Sequence, residues 1–546
     1  MPTAVGIPNV IIWAFYFWKK DVEEDYYLKN PDYYIRQSFQ KLIYRLNQPF
    51  LRIDQSSFTN VSIFDRYYIE SLFGGVVYPD GTCVIDYIDE IIEHQKIFMQ
   101  VVSEIRKQNM FTFPVLTYSL LKKKVGTPES IKQMSAKPGF NPNEWMTESE
   151  IAEMRRTKQY HVFVDEDFAR WCSDHNTVWN DSNFFMSTDC GVLSNCCRLL
   201  SDTQKLQAFI NSIGGTALSI GSVKVNTINL MRIVYEADEW VIEHYGTDIA
   251  AGKFREMRKD KYIEILRKRV LLCCKTLDVQ RHIINRNIQK GLLPNFCAGG
   301  VEMDKCYSTV GILGLYEAVE ALDMTTLDDF GNRYYTQEGI DFASTIFEVI
   351  NDVKDSFNND KHAWIKVDTN IPQYADLKIN YSFNCESVPG ERCAVIFCQK
   401  DNALYSESDI YNPDRFIYSN QWIPLSQQCT LKEKLRVCSI LDQKCSGGAI
   451  AHINLEANFP NTDAAWINLN EIALSDVIYF AYNTRINECK NHHAFLGDHC
   501  DVCGEPVFDT YQRIVGYLVP TRSYSKDRKR EFNSRLWFEY AQTLME

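Results

Sequence analysis

The chain is 546 residues long and has no apolar run long enough to cross a bilayer. Its most apolar stretch is Val10-Ile-Ile-Trp-Ala-Phe-Tyr-Phe-Trp18, followed by Lys19-Lys20. It falls well short of the roughly 20 residues a span requires and has no basic residue before it, so a buried helix is expected. There is no excess of positive charge. Lys and Arg number 58 against 71 Asp and Glu, a net charge of -13, which argues against general nucleic-acid binding by phosphate neutralisation. There is no repeat of fixed period and no low-complexity linker. Eighteen cysteines over this length are too sparse for a small disulfide scaffold. Adjacent pairs at Cys196-Cys197 and Cys273-Cys274 fit a reducing, cytoplasmic setting. These absences leave a large, acidic, core-forming chain, with 45% hydrophobic and 13% aromatic residues.

The pattern along the chain alternates between two periods. Tyr33 to Leu46, Asp86 to Gln108, Phe168 to His175, Glu236 to Thr276, Asp278 to Gly291, Ile312 to Leu322 and Gly339 to Ser356 have helical spacing. Short apolar runs lie between them and predict strands: Phe111 to Thr117, Tyr160 to Val164, Phe184 to Met186, Cys393 to Phe397, Gly448 to Asn454 and Asp476 to Ala481. Residues 125–160 read as a polar excursion and 357–380 as a surface insertion. Strands alternating with helices over some 480 residues predict one α/β barrel across 1–480, with a C-terminal domain at 481–546.

Four constellations can carry chemistry. The first is Cys489-Lys-Asn-His492-His493 followed by Cys500-Asp-Val-Cys503. Four N/S ligands at this spacing suit tetrahedral zinc, and a closed four-ligand set is structural rather than catalytic. The set is Cys489, His493 (with His492 as the alternative), Cys500 and Cys503, and Gly497 and Gly504 supply turn residues. Second, Cys196 and Cys197 follow the turn-prone run Ser187-Thr-Asp-Cys-Gly191. A cysteine at a loop tip can act as a nucleophile or a one-electron hydrogen donor, although no nearby histidine is arranged to make a thiolate. Third, Cys445-Ser446-Gly447-Gly448 precedes an apolar run, and paired glycines leave backbone N–H groups free to meet a phosphate. A plain turn accounts for it equally well. Fourth, Asn384-Cys385-Glu386 offers an acid/base group beside a thiol, and composition alone makes it a solvated loop.

In order, these stretches read Cys-Cys-Arg-Leu, Asn-x-Glu-x-Val-Pro, Ser-Gly-Gly-Ala, knuckle, and Arg513-Ile-Val-Gly516-Tyr-Leu518. In that order the chain resembles the anaerobic (class III) ribonucleotide reductases, a glycyl-radical family. Further matching stretches are Gln55 to Val61, Phe111 to Pro114, Tyr307 to Gly311, Asn420 to Leu425 and Ser525 to Phe532. The resemblance runs from about residue 7 to the C-terminus.

It implies a ten-stranded α/β barrel in which a cysteine loop and a glycyl loop meet. Gly516 would store the radical, and Cys197 would become the thiyl radical that removes the ribose 3′ hydrogen. Glu386 would serve as acid/base and Asn229 would orient the substrate hydroxyls. Ser446, Gly447, Gly448 and Cys196 would line the substrate, with the glycines against its phosphates. Zinc on the knuckle would fix the glycyl loop. The implied partners are a ribonucleotide, a separate radical-SAM activase, a thioredoxin-like protein or formate as reductant, and a second copy of the chain in a homodimer. No residues here have the ligand pattern of the activase's iron–sulfur cluster. Neither nucleic acid nor membrane is expected as a partner.

One departure from the family pattern stands out. Family members carry a long region ahead of the part matching residue 7, with the first barrel strands, a further active-site cysteine and, in many, a regulatory ATP-cone. This chain starts after that region, which makes a truncated or split enzyme, completed by an N-terminal companion polypeptide, one expectation. Two other readings compete: a formate-lyase-like glycyl-radical enzyme, and an inactive, zinc-stabilised subunit. The knuckle and the Tyr-Leu pair after Gly516 favour the reductase.

Overall fold

A computed structural model of the chain describes residues 4–24, 30–48, 58–137, 140–194, 200–202, 221–297, 303, 306–368, 383–387, 390–513 and 516–543. It is a mixed α/β structure that divides into two compact units. One comprises residues 219–450 with 524–536, and the other residues 4–218 with 451–523 and 537–546.

In the first unit three parallel strands lie side by side, with Cys306–Leu313 between Gly221–Asn229 and Phe383–Ser387. Parallel neighbours need long crossovers, and helices supply them here. Cys306–Leu313 is buried along its whole length, as a strand covered on both faces must be. The longest helix, Ala251–Gln289, lays a single stripe of Arg258, Tyr262, Leu266, Val270, Cys274 and Leu277 into the interior, close to the 3.6-residue period. The sequence places the helix break near residue 277. It falls instead at Gly246, whose φ of 74° ends the helix Leu230–Tyr245 and lies where a side chain is strained.

In the second unit Ala4–Gly6, Phe58–Phe64, Val115–Leu121 and Asn183–Ser187 run parallel in that order. Tyr479–Asn483 adds antiparallel to Asn183–Ser187, and Ala451–Asn454 adds parallel to it. A separate four-stranded sheet carries the C-terminal motifs, with order Ala494–Phe495, Ile486–Glu488, Asp509–Arg513, Leu518–Pro520. The apolar N-terminal run is a helix, Val10–Glu23, with Ile11, Ile12, Phe15 and Tyr16 buried. No helix among the described residues is long and apolar enough to cross a membrane.

The α/β expectation is met, while the ten-stranded barrel rests on the resemblance alone. Three local expectations are overturned. Cys393–Phe397 is helical, inside Glu391–Leu404, because its buried positions (Ala394, Cys398, Asp401) recur every three to four residues. Tyr160–Val164 makes only an isolated bridge between Lys122 and Phe163. Asn384–Glu386 is not a solvated loop: it lies within a strand buried at every position. The helix Gln337–Asp368 also continues past Ser356 into the stretch read as an insertion, whose second half, 369–380, lies outside the described residues.

The first unit buries the Glu317 carboxyl with no cation in direct contact among the described residues. Glu317 is 4% exposed, and its Oε1 accepts from the Ser419 N–H at 2.7 Å. Arg415 lies near but pairs with Glu320 at 2.7 Å. Burial pushes the Glu317 pKa up to about 7. The folded state therefore holds this proton more tightly than the unfolded chain does. The stability linked to it is full below about pH 4 and is lost as pH rises through about 7. Glu317→Gln removes that dependence. Its melting temperature should match the parent near about pH 5 and exceed it near about pH 8, by the equivalent of about 3 kcal/mol. Melting curves that stay parallel across that range would contradict this account.

Candidate functional site

The knuckle forms where two tight turns face each other. Cys489 directly follows the strand Ile486–Glu488, and the turn back into Ala494–Phe495 is closed by Cys489 N–H donating to His493 O at 3.1 Å. In the second turn Cys500 N–H donates to Glu505 O at 2.9 Å and Gly504 N–H to Cys500 O at 2.8 Å. Gly497 and Gly504 have φ of 107° and 73°, the left-handed backbone the turn chemistry calls for. The Cys489 Sγ–His493 Nδ1, Cys489 Sγ–Cys503 Sγ and Cys500 Sγ–His493 Nδ1 distances are each 3.7 Å. Four ligands about 2.3 Å from a central zinc stand about 3.8 Å apart, so these side chains match a tetrahedral ligand shell. All four donor atoms lie within 4.8 Å of one another. His492 is turned away, its Nδ1 3.1 Å from Glu488 Oε1. The Cys503 thiol is held down to about 6, chiefly by the Glu505 backbone and then by the Asn491 amide, which favours the metal-binding thiolate.

The same sheet carries Gly516. Asp509–Arg513 pairs antiparallel with Leu518–Pro520, with Arg513 opposite Leu518, so Gly516 belongs to the four-residue connection between them and is buried. Ile514 and Val515 lie outside the described residues. Asn487 joins knuckle to hairpin: its Nδ2 donates to Gly497 O at 2.7 Å, and its Oδ1 accepts from Thr510 Oγ1 at 2.7 Å. Arg513 anchors the hairpin from beneath. It is 1% exposed, and its Nη1 donates to Asn180 O at 2.9 Å, Tyr482 O at 2.8 Å and Asn483 Oδ1 at 3.1 Å. Burial pulls its pKa down to about 10, opposed by Asp181 and aided by Arg106. Arg106 in turn pairs with Asp181 at 2.7 Å. Past the glycine, the Tyr517 ring packs on Phe113 with centroids 5.4 Å apart.

Glu386 and Ser446–Gly448 come together in the other unit. Glu386 is 6% exposed and stands level with Gly311, which in turn is level with Thr227. The Cys445–Gly448 loop runs against the same strand. Ser446 Oγ accepts from Cys385 N–H at 3.1 Å, and Gly448 O accepts from Ser387 N–H at 3.3 Å. A Cβ at Gly447 would lie 2.6 Å from Cys385 O, a distance real side chains do not adopt, so only glycine permits this approach. The glycine N–H groups are not free: Gly447 N–H donates to Cys385 O and Gly448 N–H to Cys445 O. The expectation of open phosphate donors is thus corrected, and the glycines provide close packing instead.

Asn229 is engaged within the chain. Its Oδ1 caps the helix Leu230–Tyr245 by accepting from Arg232 N–H at 3.1 Å, and its Nδ2 donates to Asp401 Oδ2 at 2.8 Å. It lines a cavity of about 340 Å³ with Arg232, Arg269 and Lys400, and neither Glu386 nor the Ser-Gly-Gly loop is among the lining residues. Cys196 and Cys197 lie outside the described residues. The strands on either side, Val192–Ser194 and Leu200–Asp202, pair antiparallel with Ser194 opposite Leu200. Sequence reasoning assigned no role to Arg513 or Asn384. The signal for Arg513 was a cation directly before the apolar pair Ile514-Val515. That for Asn384 was its two-residue spacing from Glu386, which puts both on one face.

Comparison with known proteins agrees with this architecture. The family model described as anaerobic ribonucleoside-triphosphate reductase matches residues 1–538. No curated protein sequence matches the chain. A solved anaerobic ribonucleotide reductase is 34% identical with a TM-score of 0.76, covering 98% of this chain and 73% of its own. The anaerobic ribonucleotide reductase of Thermotoga maritima, solved with glycerol in the active site, is 34% identical with a TM-score of 0.75, covering 97% and 74%. Its complex with dATP and CTP gives 34% identity and a TM-score of 0.74, covering 97% and 74%.

The buried anchor generates a direct expectation. Arg513→Leu leaves two backbone carbonyls and the Asn483 amide oxygen short of a buried donor, and should cost about 3–5 kcal/mol in denaturant unfolding. A loss under about 1 kcal/mol would mean that the guanidinium does not hold the hairpin.

Proposed function

The chain belongs to the anaerobic ribonucleoside-triphosphate reductase family, and from that premise we propose that it makes deoxyribonucleotides by glycyl- and thiyl-radical chemistry. The observation that carries this reading is the buried hairpin presenting Gly516, tied by Arg513 on one side and by Asn487 to a zinc-capable knuckle on the other. A glycyl Cα radical is delocalised between its flanking amide and carbonyl groups, and a side chain would hinder that planar state. Burial supports the reading, because a stored radical must be kept from water and oxygen.

In this proposal Gly516 takes a hydrogen atom from Cys197, and the Cys197 thiyl removes the ribose 3′ hydrogen. The 2′-hydroxyl leaves as water with Glu386 moving the proton, two electrons come from formate or a thioredoxin-like protein, and Cys197 returns the hydrogen to C3′. Cys196, Ser446, Gly447 and Gly448 line the substrate, with the glycine pair near its phosphates as close-packed backbone that donates no hydrogen bond to them. Asn229 orients the hydroxyls from the end of its strand, and its two bonds within the chain make that contact indirect. Residues 481–546 form the zinc and radical module. Zinc on Cys489, His493, Cys500 and Cys503 supplies a rigid tetrahedral tie and no open coordination position.

A radical-SAM activase would install the radical, and a homodimer in the cytoplasm is the form we propose. A Thermotoga maritima relative is solved with dATP in its specificity site, and allosteric control by a deoxynucleotide is proposed here by analogy. The formate-lyase-like alternative and the inactive-subunit alternative are not favoured by any of these comparisons.

Activated without oxygen by an activase and S-adenosylmethionine, the protein should give an electron paramagnetic resonance doublet that Gly516→Ala abolishes. A doublet persisting in that variant would refute the radical assignment. Cys197→Ser should retain the doublet and stop nucleotide reduction, and continued turnover would show that a different cysteine reacts. Air exposure of the activated chain should release a fragment of about 30 residues, counting from Gly516 to Glu546, and a chain left intact on a gel would count against a radical there.

A further inference from the structure

Asn384 sits two residues before Glu386 on the strand Phe383–Ser387, so both side chains leave the same face of the sheet. Cys385 projects from the opposite face. Asn384 is 2% exposed, and among the described residues neither its Nδ2 nor its Oδ1 has a hydrogen-bonding partner. A buried amide with both ends unpaired is costly, and native chains rarely keep one without a use for it. Its position indicates the use. A Cβ at Gly447 would come within 2.9 Å of Asn384 Nδ2, so the amide lies directly against the Ser446–Gly448 loop and needs glycine there to hold its place.

That loop offers no spare donor of its own at the glycines, since both N–H groups are taken by Cys385 O and Cys445 O. Asn384 Nδ2 is the unpaired donor beside them. Residues i and i+2 of a strand stand about 6.6 Å apart, comparable to the reach from a ribose ring to the phosphates of the same nucleotide. We propose that Asn384 is a substrate-binding residue whose Nδ2 donates to a phosphate oxygen of the ribonucleotide while Glu386 meets its ribose. The proposal rests on the reading of Glu386 and Ser446–Gly448 as the substrate site. In it the strand Phe383–Ser387 acts as a ruler that sets the nucleotide's position lengthwise, and the donor the glycines cannot supply comes from a side chain.

Equilibrium binding of CTP and of cytidine to the full chain tests it, with Asn384→Ala, Asn384→Asp and Asn384→Leu. Asn384→Ala should weaken CTP about tenfold. Asn384→Asp, equal in shape but placing a carboxylate against the phosphate, should weaken it further. Cytidine, which has no phosphate, should bind all variants as it binds the parent. Without ligand, Asn384→Leu should melt at or above the parent's temperature, because an unpaired amide gives way to an apolar group of similar size. Unchanged CTP binding in both the Ala and Asp variants would overturn the assignment and leave the substrate-site reading standing. Equal losses for CTP and cytidine, or a lowered melting temperature in the Leu variant, would mark a ribose or structural role and overturn it too. If the parent bound CTP no better than cytidine, the phosphate site itself would fall, and this proposal with it.

Discussion

A single buried guanidinium sets the geometry of the C-terminal module. Arg513 reaches under its hairpin to two backbone carbonyls and an amide oxygen, all within 3.1 Å. A cation removed from water is tolerable only where such groups replace its hydration, so Arg513 fits in one place and one orientation. Asp181 and Arg106 complete the charge arrangement around it. Because Arg513 is the last residue of its strand, that constraint passes directly to the connection holding Gly516. The knuckle acts on the same hairpin from the other side, through Asn487 and the pairing of Ile486–Glu488 with Asp509–Arg513. One constraint is electrostatic and the other, with zinc bound as proposed, is coordination geometry, so neither duplicates the other.

The other unit uses a different device. Here a buried strand, Phe383–Ser387, presents two polar side chains on one face, and a glycine loop is pressed against it by backbone hydrogen bonds. Gly447 is required by contact with Cys385 O, not by an unusual φ. The glycines are therefore spacers that let the loop approach, and in the proposed site the polar groups of the strand face the substrate. This division accounts for an Asn384 left without a partner among the described residues.

Much of this was legible in the sequence wherever chemistry fixes spacing. The knuckle ligands were readable because four soft ligands in two short turns suit little besides a metal ion, and the choice of His493 over His492 agrees with the rotation of His492 toward Glu488. Gly497 and Gly504 were readable as turn residues because positive φ selects glycine. Where spacing was ambiguous the reading failed. Cys393–Phe397 is five apolar residues, too short to tell strand from helix, and only the burial of Cys398 and Asp401 beyond it reveals the period. Asn384-Cys385-Glu386 looked solvated because its composition is polar, yet tertiary context buries it completely. Arg513 was visible as a letter and invisible as an anchor, because its partners are 30 residues away in Asn483 and 333 away in Asn180.

The central claim is that the knuckle and Arg513 together hold Gly516 where a radical can be placed and kept. The most direct measurement is the number of glycyl spins per chain, by electron paramagnetic resonance, across preparations of graded zinc content that share the parent's melting temperature. Spin yield should rise in proportion to zinc and be lost in zinc-free protein. Full spin yield from folded, zinc-free chains would contradict it.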